Sequence, residues 1–168
     1  MIKFIEEDTT IGFREIPDEI TLCVNISNCQ NNCQGCHSVY LRQNIGSELN
    51  FNAVDRLIEK NDGITCFCFM GEGNDAKSLQ ELILYLKEKY PQIKRALYSG
   101  RDVVDEDFYW DNLDYLKIGG FKADCGPLNK KTTNQRLYSY HKVFSSCVVI
   151  NNIVRIGWRD ITKYFYMF

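Results

Sequence analysis

The stretch Ile20-Thr21-Leu22-Cys23-Val24-Asn25-Ile26-Ser27-Asn28-Cys29-Gln30-Asn31-Asn32-Cys33-Gln34-Gly35-Cys36-His37 carries a strand into a cysteine-rich loop. Ile20, Leu22, Val24 and Ile26 alternate with smaller or polar residues, which is the period of a strand. Cys29, Cys33 and Cys36 then follow within eight residues, spaced C-x-x-x-C-x-x-C. One tight loop thus offers three thiolates to a single soft centre, and thiolates select zinc, copper(I) or iron–sulfur clusters. A closed zinc or electron-transfer site normally takes four protein ligands, and this loop supplies three. Three readings follow. An iron–sulfur cube on three thiolates keeps one iron open to a small molecule. A zinc site takes His37 or a distant cysteine as its fourth ligand. In the third reading the cysteines only pack.

Downstream, strands and helices alternate. Asn50 caps a helix from Phe51 with Phe51, Val54, Leu57 and Ile58 on one face. Ile64 to Phe69 is a short apolar run, the pattern of a strand buried on both faces. Asp75 caps a second helix with Leu79, Leu82, Ile83 and Leu86 at helical spacing, and Pro91 helps to stop it. Ile93 to Tyr98 and Leu113 to Ile118 read as further strands, with a helical segment over Val104 to Trp110 between them. Val143 to Ile150 and Ile153 to Ile156 flank Asn151-Asn152, a pair that tolerates positive φ and turns a hairpin. Asp160 to Phe168 begins as a short helix. No repeat or linker interrupts residues 1–168, which read as one domain.

This alternation predicts an α/β fold with a mainly parallel sheet and right-handed crossovers. A closed eight-fold barrel usually needs about 250 residues, so 168 residues imply a partial (β/α) barrel or an open curved sheet. The cysteine loop, Gly71-Glu72-Gly73 and Ser99-Gly100-Arg101 each follow a strand. In a parallel sheet all three emerge at the same carboxyl edge, where such folds bind ligands.

Charge narrows the partners. Twenty basic and 22 acidic side chains give −2, no field for nucleic acid or an anionic membrane. No apolar run has the length of a signal peptide or of a membrane span, so a reducing cytoplasm is expected, where clustered cysteines bind metal more often than they bridge. Cys66 and Cys68, two apart in a strand, share a face and read as buried small hydrophobes, as do Cys23 and Cys147. Cys125, beside Gly126-Pro127, is the candidate fourth ligand outside the loop. His141 lies in a polar stretch and reads as a surface residue.

The C-x-x-x-C-x-x-C spacing resembles the signature of radical S-adenosylmethionine (SAM) enzymes. The resemblance implies a [4Fe-4S] cluster on Cys29, Cys33 and Cys36 whose open iron chelates SAM. It also implies that Gly35, Cys36 and His37 lie near the adenine and sulfonium end. Met70-Gly71-Glu72-Gly73 stands where that family carries a Gly-Gly-Glu-Pro-like loop for the methionine part, with Gly71 allowing close approach and Glu72 accepting from the ammonium. Here methionine replaces the first glycine and Gly73-Asn74 the proline. Leu116-Lys117-Ile118-Gly119-Gly120-Phe121, Gly126-Pro127-Leu128, Thr132-Thr133-Asn134-Gln135-Arg136 and Trp158-Arg159-Asp160-Ile161-Thr162 together resemble the activating proteins of anaerobic ribonucleoside-triphosphate reductase, from about Ile11 onward. That resemblance implies an external electron donor and a glycyl radical formed on the reductase as protein substrate. Thr133 to Arg136 is expected to be a hydrogen-bonded loop bracing the sheet edge. Activases of other glycyl-radical enzymes, such as pyruvate formate-lyase, share the cysteine spacing but are typically longer, and a zinc-binding module is the non-enzymatic alternative. The aromatic end Tyr164-Phe165-Tyr166-Met167-Phe168 is expected to pack on the core, with partner docking as its alternative.

Overall fold

A computed structural model of the chain describes residues 1–142 and 146–167. In chain order the elements are β1 (Lys3–Phe4), β2 (Thr10–Gly12), β3 (Thr21–Asn25), β4 (Ser47–Glu48), α1 (Phe51–Lys60) and β5 (Cys66–Met70). Next come α2 (Ala76–Lys89), β6 (Lys94–Tyr98), α3 (Asp107–Asn112), β7 (Tyr115–Ile118), β8 (Arg136–Tyr140), β9 (Cys147–Ile150), β10 (Ile153–Ile156) and β11 (Trp158–Asp160). Seven strands form one sheet in the order β11-β8-β7-β6-β5-β3-β2. It is an open mixed sheet, with β2 and β11 at its two ends.

The four expected parallel strands, β3, β5, β6 and β7, lie side by side at its centre. "Mainly parallel" needs correction, because β2, β8 and β11 join antiparallel and make half of the ladders. The alternation of helix and strand does not reveal these flanks. β2 and β11 have three residues each, too few for a period to show. Arg136, read as loop, is the first residue of β8, which covers the otherwise unpaired edge of β7.

Local chemistry sets the helices. The Asn50 side chain accepts from the Ala53 amide at 3.0 Å, and Asp75 accepts from the Ser78 amide at the same distance, so both expected caps form. α2 buries Leu79, Leu82, Ile83 and Leu86 against the sheet, each worth about 1.5–3 kcal/mol of apolar transfer. α1 buries Ala53, Val54 and Leu57, whereas Phe51 stays 45% exposed and stacks on Tyr85 at 4.3 Å. The helical segment after β6 begins later than its apolar residues suggest, at Asp107.

The two faces of the sheet differ. Leu22, Val24, Phe67, Phe69, Leu97 and Leu116 face the helices and form the main core. Cys66, Cys68, Ala96 and Leu137 lie in a second cluster with Ile16 and Ile161. Small side chains there let the segment around Ile16 lie close over the strands, and the Tyr98 hydroxyl donates to the Glu15 carbonyl. Cys23, Cys66 and Cys68 are buried as expected.

Asn151 and Asn152 both have positive φ, 48° and 63°, and Ile150 pairs with Ile153, so the expected hairpin forms. Its expected start at Val143 lies outside the described residues. Cys147 is exposed on this hairpin, and the expectation of burial is overturned there. Val149, Val154 and Ile156 are exposed as well, because a two-stranded hairpin outside the main sheet has only one face to bury. A short 3-10 helix over Thr162–Phe165 begins the C-terminal segment. Phe165 packs on the second cluster, but Tyr164 and Met167 are exposed, so the aromatic end packs only in part. Phe168 lies outside the described residues. Among the described residues no helix is long and apolar enough to cross a membrane.

Candidate metal and cofactor site

The parallel core sends three loops to one edge. The first leaves β3 through Ser27, fully buried with its hydroxyl on the Ile45 carbonyl at 2.7 Å, and through Asn28 at φ 59°. It is closed on the short helix Val39–Arg42, since the Cys29 amide donates to Leu41 and the Arg42 guanidinium donates to the Cys33 carbonyl at 2.7 Å. Cys36 returns an amide bond to Cys33. The cysteine loop is therefore held by backbone amides together with the Arg42 and Gln30 side chains, and of its three thiols Cys29 has a long contact with Asn31 at 3.9–4.0 Å.

Glycines seat this loop on its neighbours. A Cβ on Gly100 would overlap the Asn31 amide, and one on Gly120 would lie 3.0 Å from the Gly100 carbonyl and 3.2 Å from Cys33 Sγ. A side chain at either position would push Asn31 or the Cys33 sulfur aside, and glycine permits the approach without that shift. Asn134 donates to the Gly120 carbonyl at 2.9 Å, and Arg136 donates to the Thr133 and Gln135 carbonyls. The Thr133–Arg136 stretch thus braces the Gly119-Gly120 turn, with Asn134 Oδ1 left buried and without a partner among the described residues.

Two clefts open between the loops. The larger, about 1010 Å³, is lined by Cys33, Gly35, Arg101, Gly120, Phe121 and Cys125 among others. The smaller, about 320 Å³, includes Cys29, Glu72, Arg101 and Tyr109. Asn31 and Arg101 line both. The larger volume suits a cofactor of nucleoside size.

Cys29, Cys33 and Cys36 are free and half-buried, so all three are available to a ligand. Their loop gathers them, but their sulfurs do not converge. Among the described residues no three His, Cys, Asp or Glu side chains are placed around a common ion position. Chemically the donor set fits a thiophilic centre, with three soft donors on one loop, although Cys33 lines the larger cleft, Cys29 the smaller and Cys36 neither. Cys125 lines that cleft as well, and its carbonyl accepts from Thr132.

The other expected residues fare unequally. Gly35, at φ 75°, is exposed at the larger cleft, where glycine alone adopts the turn freely. His37 is exposed and lines neither cleft. Gly71 is held at φ 125° and packs on Ile26, so its backbone conformation by itself explains the glycine. Glu72 does not present a bare carboxylate, for Arg101 Nε lies 3.1–3.2 Å from its oxygens and Arg101 Nη1 is 2.7 Å from Glu106. Burial works against the Arg101 charge, but Glu106 and Glu72 more than offset it and raise its pKa. His141 is exposed beside Ser139 and Arg159 at the far end of β8.

In the sequence, Asn31, Arg101 and Lys117 stand only as members of the cysteine loop, the Ser99-Gly100-Arg101 loop and the Leu116–Phe121 stretch, with no role of their own. Lys117 lies within the apolar run of β7, and a charge in such a run is the signal that marks it. Its ammonium donates to the Gly119 carbonyl at 2.6 Å and reaches that of Ser99 at 3.5 Å. Burial pushes its pKa down to about 8. Lys122 pairs with Asp102 at the surface and holds that carboxyl below its ordinary range.

No family model, curated protein or solved structure matches the chain.

Proposed function

We propose that the chain is a radical-SAM activase that holds a [4Fe-4S] cluster on Cys29, Cys33 and Cys36 and makes a glycyl radical on anaerobic ribonucleoside-triphosphate reductase. Cys29, Cys33 and Cys36 would hold the cluster, which would supply one-electron reductive cleavage of SAM, the electron coming from an external donor. The chain's own residues bind and aim. Gly35, Gly100 and Gly120 keep backbone close to the cleft without filling it. Arg101 and Glu72 are paired with each other at the smaller cleft and would bind the carboxylate and amino groups of a methionyl moiety by exchanging that pairing. No proton transfer by a side chain is required.

The observation that carries this reading is that the three-cysteine loop and the loops after β5 and β6 flank clefts at one sheet edge. The test is anaerobic reconstitution with iron and sulfide, reduction, and assay for 5′-deoxyadenosine from SAM, followed by spin resonance of the reductase after mixing. The reading expects about four iron and four sulfide per chain, SAM cleavage, and an organic radical on the reductase. A colourless zinc protein without sulfide would refute it. Cleavage of SAM with no radical on that reductase would refute the choice of partner alone.

A further inference from the structure

Lys117 is a buried cation at 7% exposure, close enough to Cys33 for the two charges to interact. No carboxylate pairs with it among the described residues. Its ammonium is satisfied by the carbonyls of Gly119 and Ser99 and lies 5.8 Å from the centre of the Tyr98 ring. Those carbonyls belong to the two turns on which the loop rests, the Gly120 turn being the one that packs on Cys33 Sγ. Asp102, whose charge also acts on Lys117, is exposed, accepts from the Gly120 amide at 3.3 Å and pairs with Lys122 at 3.0 Å. Carbonyl dipoles solvate a buried ammonium without cancelling its charge, and water screens it little at this depth.

We propose that Lys117 is a positioning residue for the redox centre of the cysteine loop, its buried positive charge easing one-electron reduction of that centre. The inference rests on the cluster reading above. Reduction adds one electron from the reductant to the cluster and neither makes nor breaks a bond. A fixed cation beside one thiolate ligand stabilises the more negative, reduced form over the oxidised one. Net charge, hydrogen bonding and exposure are what set the potential of such clusters.

A structural staple and a field make different demands, which a redox titration separates. Wild type, Lys117→Met, Lys117→Gln and Lys122→Met are reconstituted without oxygen, checked for iron, sulfide and circular dichroism, and poised with dithionite and mediators at pH 7 under spin resonance. Both Lys117 variants are expected to keep the cluster and to shift the reduction equilibrium about tenfold toward the oxidised form, ~59 mV for one electron. Lys122→Met, which removes an exposed charge from the same edge, is expected to leave the potential in place. Full iron with an unchanged potential in the Lys117 variants overturns the proposal, as does loss of fold in both, which makes Lys117 a staple only. Failure of the wild type to take up iron and sulfide overturns the cluster reading itself, and this inference with it.

Discussion

Eight cysteines share one chain, but their surroundings divide them sharply. Burial pushes the thiols of Cys66 and Cys68 well above the ordinary range, and that of Cys23 to about 12, with the Glu15 charge adding to the last. A thiol so placed stays protonated and inert, whereas Cys29, Cys33 and Cys36 are half-exposed. Replacing any one of these three with Ser is expected to abolish iron uptake or SAM reactivity. Cys66→Ala is expected to keep both and cost about 1 kcal/mol of stability, read by urea unfolding. Iron loss in Cys66→Ala with retention in Cys36→Ser would reverse the ligand assignment. The buried thiols also set a pH dependence. An unfolded Cys68 ionises near 9.0, and the folded one only well above that. Its stabilising effect is therefore complete below pH 9 and is lost as pH rises, by up to about 1.4 kcal/mol per pH unit. Lys117 acts oppositely from about pH 8 to 10.5, where the unfolded chain holds the extra proton. The difference between wild type and Cys68→Ala isolates the thiol, and the variant's stability should fall less steeply above about pH 9.

Among the elements, the turns after β6 and β7 do most to shape the site. Gly119 has φ 100°, and a Cβ there would meet the Gln135 backbone at 3.0 Å. Gly119→Ala is expected to destabilise the fold by about 1–3 kcal/mol and to loosen the larger cleft, seen as weaker SAM binding by calorimetry on the reconstituted protein. Unchanged stability and affinity would mean that the turn relaxes freely. α2 offers the contrast of pure packing. Ile83→Ala removes a fully buried side chain far from the loops, so it should cost about 2–5 kcal/mol while leaving iron content intact.

At the scale of the whole molecule, the sheet has a working edge and a supporting edge. The cysteine loop and both clefts lie at the carboxyl ends of the parallel strands, while the buried Glu19, which accepts from Tyr115 at 2.7 Å and pairs with Lys94, ties the opposite ends together. His141 follows the last residue of antiparallel β8 and so belongs with the supporting edge. His141→Ala is expected to leave both SAM cleavage and radical transfer at wild-type rates. A partner glycine must approach the carboxyl edge. The free protein should therefore cleave SAM slowly, with the reductase or a peptide from its glycyl-radical segment speeding cleavage. A rate indifferent to the partner would argue against docking at this edge.

Sequence alone determined the parts that rest on local chemistry. Asn50 and Asp75 mark helix starts because a short polar side chain meets a free amide three residues on. Asn151-Asn152 marks its hairpin because both residues tolerate positive φ. The spacing of Cys29, Cys33 and Cys36 is itself a statement about one loop, and apolar periodicity placed β3, β5, α2, β6 and β7. Contacts distant in sequence escaped it. β8 forms because β7 has an edge to pair, and β11 because β8 then has one, facts of the assembled sheet and not of Arg136 or Trp158. Glu72 meets Arg101 across 29 residues, and Lys117 comes close enough to Cys33 for their charges to interact only because β7 ends beside the turn that carries the loop. Cys147 misled because its strand pattern is real but the hairpin lies outside the main sheet. Period tells which residues share a face, and only the packed chain decides whether that face is covered.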